Sequence, residues 1–144
     1  MKEFKLDQLD MDIIEFLSNN CTLTYEEISV KTGRSIWTVR DRMNLLKQRG
    51  IIKGCKADID YSKMGMKCKA MITFNVPADK IDDFVLFSKK EKGIKKLFIR
   101  TGTTRFVITM VGEDCSSLRE YARKILPKFN IYDVDFEVVL DEIL

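Results

Sequence analysis

Histidine is absent from this chain, and its four cysteines (Cys21, Cys55, Cys68 and Cys115) never fall in a CxxC pair. A zinc site would have to be built from scattered thiolates alone. Ser-His and Cys-His pairs are excluded, and so is the commonest general base near neutral pH. Neither GxxxxGK[ST] nor GxGxxG occurs, and no pair of carboxylates stands out by its spacing. No apolar run approaches the roughly 18–20 residues that span a bilayer. The opening MKEFKLDQLD has no apolar signal core. These absences imply a soluble cytoplasmic protein that is not an enzyme, with no catalytic residue, metal or cofactor. A reducing compartment disfavours disulfides, so four buried or half-buried thiols are expected.

What is present is a core-forming composition, 45% hydrophobic and 33% charged, and an uneven distribution of charge. Residues 1–28 hold two lysines against seven acids. Residues 29–56 hold eight lysines and arginines against Asp41 alone. A basic block confined to one segment suggests a polyanionic partner.

Helical periodicity places a first helix at about 7–19, through Leu6, Leu9, Ile13, Phe16 and Leu17, with Asp7 as its cap and Asp10 in its first turn. Thr24 and Glu27 form a T-x-x-E capping box, flanked by a Leu23–Ile28 staple, and open a short second helix that Gly33 ends. Ser35 caps a third helix, which runs to about Gln48 and stops at Gly50. Three short helices with a tight glycine turn describe a helix-turn-helix unit over 1–50. Residues 51–65 read as a strand-like linker followed by a turn.

From residue 66 the hydrophobic period becomes two. Met66, Cys68, Ala70, Ile72, Phe74 and Val76 share one face of a strand that Pro77 ends. A helix at about 79–91, strands at about 94–101 and 104–111, a helix at about 114–126 and a strand at about 131–140 complete a βαββαβ order. In the last strand Tyr132, Val134, Phe136, Val138 and Leu140 alternate with acids. The fold class is therefore α+β, a winged-type helix-turn-helix followed by a ferredoxin-like domain over 66–144. With both helices on one sheet face, Met71, Val107 and Thr109 lie on the other. That surface is too apolar for water, and dimerisation across it is expected.

On the third helix, steps of about 100° from an inward Val39 bring Met43 and Leu46 inward. They send Trp37, Asp41, Asn44 and Gln48 outward, flanked by Arg40 and Thr38. An outward aromatic can touch thymine methyls or sugars, Arg can bind guanine, Asn adenine and Asp the cytosine amino group. Lys31, Arg34 and the Ser35 hydroxyl suit phosphates. Trp37 has the alternative of packing against the second domain or a partner. Arg42, about 60° off the inward direction, is placed to brace the fold rather than to touch DNA. For Asp41 a salt bridge to Arg40 or Arg42 is favoured over direct base contact.

In order along the chain, LDQLDMDII (6–14), EISVKTGRSIWTVRDRMNLLKQRGII (27–52), GCKADIDYSKMGM (54–66) and the βαββαβ pattern resemble the Lrp/AsnC family of prokaryotic transcription regulators. The resemblance implies double-stranded operator DNA as partner, a homodimer that assembles further into tetramers or octamers, and a RAM domain that takes an amino acid or related effector between subunits. The family's GxxD effector loop corresponds to Gly102, Thr103, Thr104 and Arg105, with a cation where the motif ends in a carboxylate. An effector carboxylate facing Arg105, or no effector at all, are the alternatives. A low-specificity architectural DNA-binding protein is the second reading. A siroheme-decarboxylase-like enzyme is the third, and that branch relies on histidines.

Overall fold

The computed structural model describes residues 5–143; residues 1–4 and 144, the outermost ends of the two expected domains, lie outside them. The chain folds as two compact units that meet between Asp58 and Ile59.

In the first unit, side chains that satisfy the free backbone N–H groups set each helix start. Helix α1 spans Gln8–Asn19, with Asp7 and Asp10 forming a reciprocal capping box. Helix α2 spans Tyr25–Thr32 behind the expected Thr24–Glu27 box, and Gly33 ends it in the left-handed conformation at φ +66°. Helix α3 spans Ile36–Gln48 behind the Ser35 cap. Ile13, Ile28, Val39, Met43 and Leu46 form the core where the three helices meet. Four of these five are fully closed to solvent, and each contributes on the order of 1.5–3 kcal/mol by burial.

The linker forms no strand over residues 51–60. A β-ladder needs a neighbouring backbone to pair with, and this stretch has none among the described residues. The four cysteines also differ from expectation. Cys21 pairs with Cys55 and Cys68 with Cys115 as disulfides, with Cα atoms 5.5 and 5.1 Å apart. The partners lie 34 and 47 residues apart in sequence, so folding rather than local spacing brings them together.

The second unit is a four-stranded antiparallel sheet in the order β2-β3-β1-β4. The strands are β1 (Cys68–Asn75), β2 (Ile94–Ile99), β3 (Phe106–Gly112) and β4 (Tyr132–Val138). Helix α4 spans Ile81–Lys90 and helix α5 Cys115–Ile125, the latter capped by Asp114. Register aligns Leu97, Ile108, Ile72 and Phe136 across the sheet, and this row belongs to the core. Phe84 of α4 meets Phe74 edge-on at 5.3 Å between ring centroids.

The opposite face carries Phe98, Val107, Thr73 and Asp135 in one row and Lys96, Thr109, Met71 and Glu137 in the next. Phe98 is 52% and Met71 37% exposed. Val107 and Thr109, flanked by them on neighbouring strands, are nearly closed to solvent.

Tyr132 departs from the expected alternation. The register shifts by one residue between Thr73 and Asn75, and Asp133 takes φ +53°. This is a β-bulge. Tyr132 therefore stands opposite Asn75, in phase with Asp135 and not with Phe136.

Candidate nucleic-acid interface and effector loop

Helix α3 is amphipathic, and that fixes what its outer stripe presents. With Val39, Met43 and Leu46 buried, Trp37, Arg40, Asp41 and Asn44 follow one another along the opposite side. Trp37 is 70% exposed, and the Arg40 guanidinium lies 5.5 Å from its ring centroid. That contact holds the indole and the cation together at the surface. Asn44 is half-buried; Asp41, Arg40 and Thr38 are exposed.

The turn before α3 places the remaining predicted residues at the head of this stripe. The Ser29 hydroxyl donates to the Arg34 carbonyl, which ties α2 to the turn. Arg34 is exposed beside the α3 N-terminus. The Ser35 hydroxyl oxygen accepts from the Thr38 N–H at 3.1 Å, so the residue read as a phosphate ligand serves as the helix cap. Lys31 sits 5.5 Å from the Phe16 ring centroid. Among the described residues neither Lys31, Arg34 nor Arg40 has a carboxylate partner. All eight predicted residues thus belong to the turn and helices of one unit.

Arg42 braces the fold. Its Nη1 donates to Asp7 Oδ2 at 2.6 Å and to both oxygens of Asp10 at 3.1 Å. Asp10 is 1% exposed. The Asp10 N–H, and then the Arg42 guanidinium, hold the Asp7 carboxyl below the usual range. Hydrogen bonds to Asp7 and Asp10 raise Arg42 above its ordinary value. The expected bridge from Asp41 is not formed, because Arg42 reaches back to α1 and Arg40 lies over Trp37. Asp41 is left available at the surface. The signal for the brace was Asp10, whose place in the first turn suits the helix dipole and in LDQLDMDII carries the family resemblance, neither of which points to Arg42.

The loop read from the sequence as an effector site, 102–105, lies in the second unit, between β2 and β3. Gly102 takes φ +119°, a value side chains rarely adopt. Around it the backbone is clamped from two sides. The Arg100 N–H donates to the Arg105 carbonyl at 2.7 Å and its Nε to the Thr104 carbonyl at 2.9 Å. From β1, the Asn75 amide donates to the Thr103 carbonyl at 2.7 Å and accepts the Arg105 N–H at 2.9 Å. The same amide nitrogen lies 3.4 Å from an Asp133 carboxylate oxygen. Asn75 is 7% exposed. Neither Asn75 nor Asp133 was predicted, since they come from other strands than the loop. Asp133 sets a carboxylate beside the loop where Arg105 has displaced the motif's own.

Residues 6–53, the helices and turn described here, match a family described as winged helix-turn-helix DNA-binding. The uncharacterized HTH-type transcriptional regulator PF0054 of Pyrococcus furiosus is 30% identical over 83% of this chain and 79% of its own length. Among solved structures, Bacillus subtilis LrpC has a TM-score of 0.87 at 23% identity, covering 98% of this chain and 99% of that one. The transcriptional regulator NMB0573 of Neisseria meningitidis, solved as its L-Met complex, has a TM-score of 0.88 at 23% identity, over 97% and 93%. At these identities the two structures speak for the fold alone. The likeness to PF0054 runs through both units, and on that ground the chain belongs to the Lrp/AsnC family of helix-turn-helix transcription regulators.

Proposed function

We propose that this regulator binds specific operator sequences through the outer stripe of α3, acts as a homodimer joined across the open sheet face, and takes a small effector at the 102–105 loop. The observation that carries the DNA reading is Trp37. The unit closes its core without the indole, which stays 70% exposed among cations that have no acidic partner. Trp37, Arg40, Asp41 and Asn44 face base edges; Lys31, Arg34, Thr38 and the α3 N-terminus face phosphates. An amide and a carboxylate among the cations favour sequence reading over the low-specificity architectural alternative, which would need cations alone.

Dimerisation rests on Met71 and Phe98, which leave apolar area in water on the sheet face away from the helices. Tetramers and octamers would add further contacts to that dimer. For the effector, a solved relative holds L-methionine. Here Arg105 would meet a carboxylate and Asp133 an ammonium, with Asn75 holding both in place. The chain works where its DNA is, in the cytoplasm, as a regulator and not an enzyme.

The test is a titration of labelled operator DNA, selected from random fragments, at several salt concentrations. Trp37→Ala or Asn44→Ala weakens operator binding by roughly 1–3 kcal/mol and leaves random DNA nearly unchanged. Arg34→Ala weakens both and lowers the salt slope by about one. Equal affinity for operator and random DNA at matched salt would overturn the specific reading. Loss of folding in Trp37→Ala would overturn the outward assignment.

A further inference from the structure

Between α5 and the edge strand β4 the second unit has a cavity of about 390 Å³, which the DNA face and the effector loop do not use. Leu126, Ile131, Val134 and Phe136 are among its apolar lining, and Arg119 and Arg123 also line it. The volume lies within the roughly 300–1,000 Å³ of small-molecule sites. The two arginines are four residues apart on α5, so they project from the same side of the helix one turn apart.

Neither guanidinium has a carboxylate partner among the described residues. The neighbouring acid, Glu120, is paired with Lys124 at 3.0 Å. Arg119 is held in position, its guanidinium 5.1 Å from the Phe136 ring centroid, so part of the ordering cost of binding is already met. No acid lines the cavity.

We propose that this cavity binds an apolar monocarboxylate that lacks a free ammonium group, with an aromatic or branched aliphatic body. The carboxylate meets Arg119 and Arg123, which can grip it bidentately. The body lies on Leu126, Ile131 and Val134. An α-amino acid is disfavoured, because its ammonium would be placed against two cations with no acid to receive it. The site is therefore distinct from the effector loop in ligand class as well as in place.

The probe is 4-phenylbutyrate, titrated calorimetrically into the full-length chain, with 4-phenylbutyramide and L-phenylalanine as comparison ligands. One saturable site per chain is expected. The amide and the amino acid should bind at least about tenfold more weakly. Arg119→Gln with Arg123→Gln should cost at least about tenfold, and both positions are exposed, so the variant keeps its fold. Val134→Trp should fill the cavity and abolish binding, while Arg105→Ala should leave it unchanged. Absence of saturable binding, equal binding of the amide or of L-phenylalanine, or loss on Arg105→Ala would each overturn the proposal. So would a change in oligomeric state on Val134→Trp without probe binding in the parent chain, since the cavity would then belong to a subunit contact.

Discussion

Replacing Asp10 by alanine removes the acceptor on which the first unit's helix packing turns. The side chain is 2% exposed, whereas Arg42 keeps 34% and Asp7 49% of theirs in contact with solvent. Two losses combine. The Asp7 N–H, which donates to Asp10 Oδ2 at 3.1 Å, loses half of the capping box, a change of about 1 kcal/mol. Arg42 loses two of its three acceptor contacts. Stripping one partner from a fully buried pair costs about 3–5 kcal/mol. Arg42 is partly hydrated and keeps Asp7, so about 1–3 kcal/mol is the fitting share. The sum is a loss of about 2–4 kcal/mol. With two units in the chain, a single unfolding curve need not be two-state. Native-state hydrogen exchange at the amides of α1 and α3 is the suitable assay. The double variant Asp10→Leu with Arg42→Met should regain most of the loss, because the buried carboxylate and its cation leave together, and Asp7, 49% exposed, stays hydrated without Arg42. A change below about 0.5 kcal/mol in Asp10→Ala, or a double variant less stable than the single one, would refute the brace. Arg42→Met should also leave the salt slope of DNA binding unchanged, since this cation is occupied within the fold.

Met71→Asp, on the open sheet face, should convert dimers to monomers by light scattering while circular dichroism stays native. A dimer that persists would place the interface elsewhere. Tyr121 is pushed up to about 12, chiefly by burial and then by its hydrogen bond to Glu91. Its neutral form is favoured in the folded state, so its contribution to stability is present below the ordinary tyrosine value near 10 and is lost as pH rises toward 12. Of the four tyrosines, one should ionise late in an alkaline absorbance titration, and Tyr121→Phe should remove that step. Peptide mapping without reductant should recover the pairs Cys21–Cys55 and Cys68–Cys115. Replacing Cys68 and Cys115 by serine should destabilise the second unit by about 2–4 kcal/mol. Any other pairing, or unchanged stability, would contradict that assignment.

How far the sequence could be read depended on how far apart the cooperating residues lie. A cap is decided within four residues. Thr24 with Glu27, and Ser35 before α3, could therefore be read directly, and with them the direction in which Trp37 points. The stripe on α3 needed one further fact, the inward side, which Val39, Met43 and Leu46 supply by their spacing. Arg42 was placed correctly by its angle, but its partners stand 35 and 32 residues away, at the cap and in the first turn of α1, and no local rule chooses them over Asp41. Strand alternation holds only while the backbone keeps its period. At Asp133 an added residue in left-handed conformation reversed the phase and moved Tyr132 to the other face, without a glycine to announce it. The 102–105 loop shows both cases in one place. Gly102 marks the turn, because few other residues accept its backbone angle. The groups that give the turn its shape and charge, Asn75 and Asp133, come from β1 and β4. A cation in place of the motif's carboxylate therefore reverses the charge that the loop itself presents. Strand order brings an acid back beside it, and whether Asp133 replaces the displaced group depends on the sheet and not on the motif.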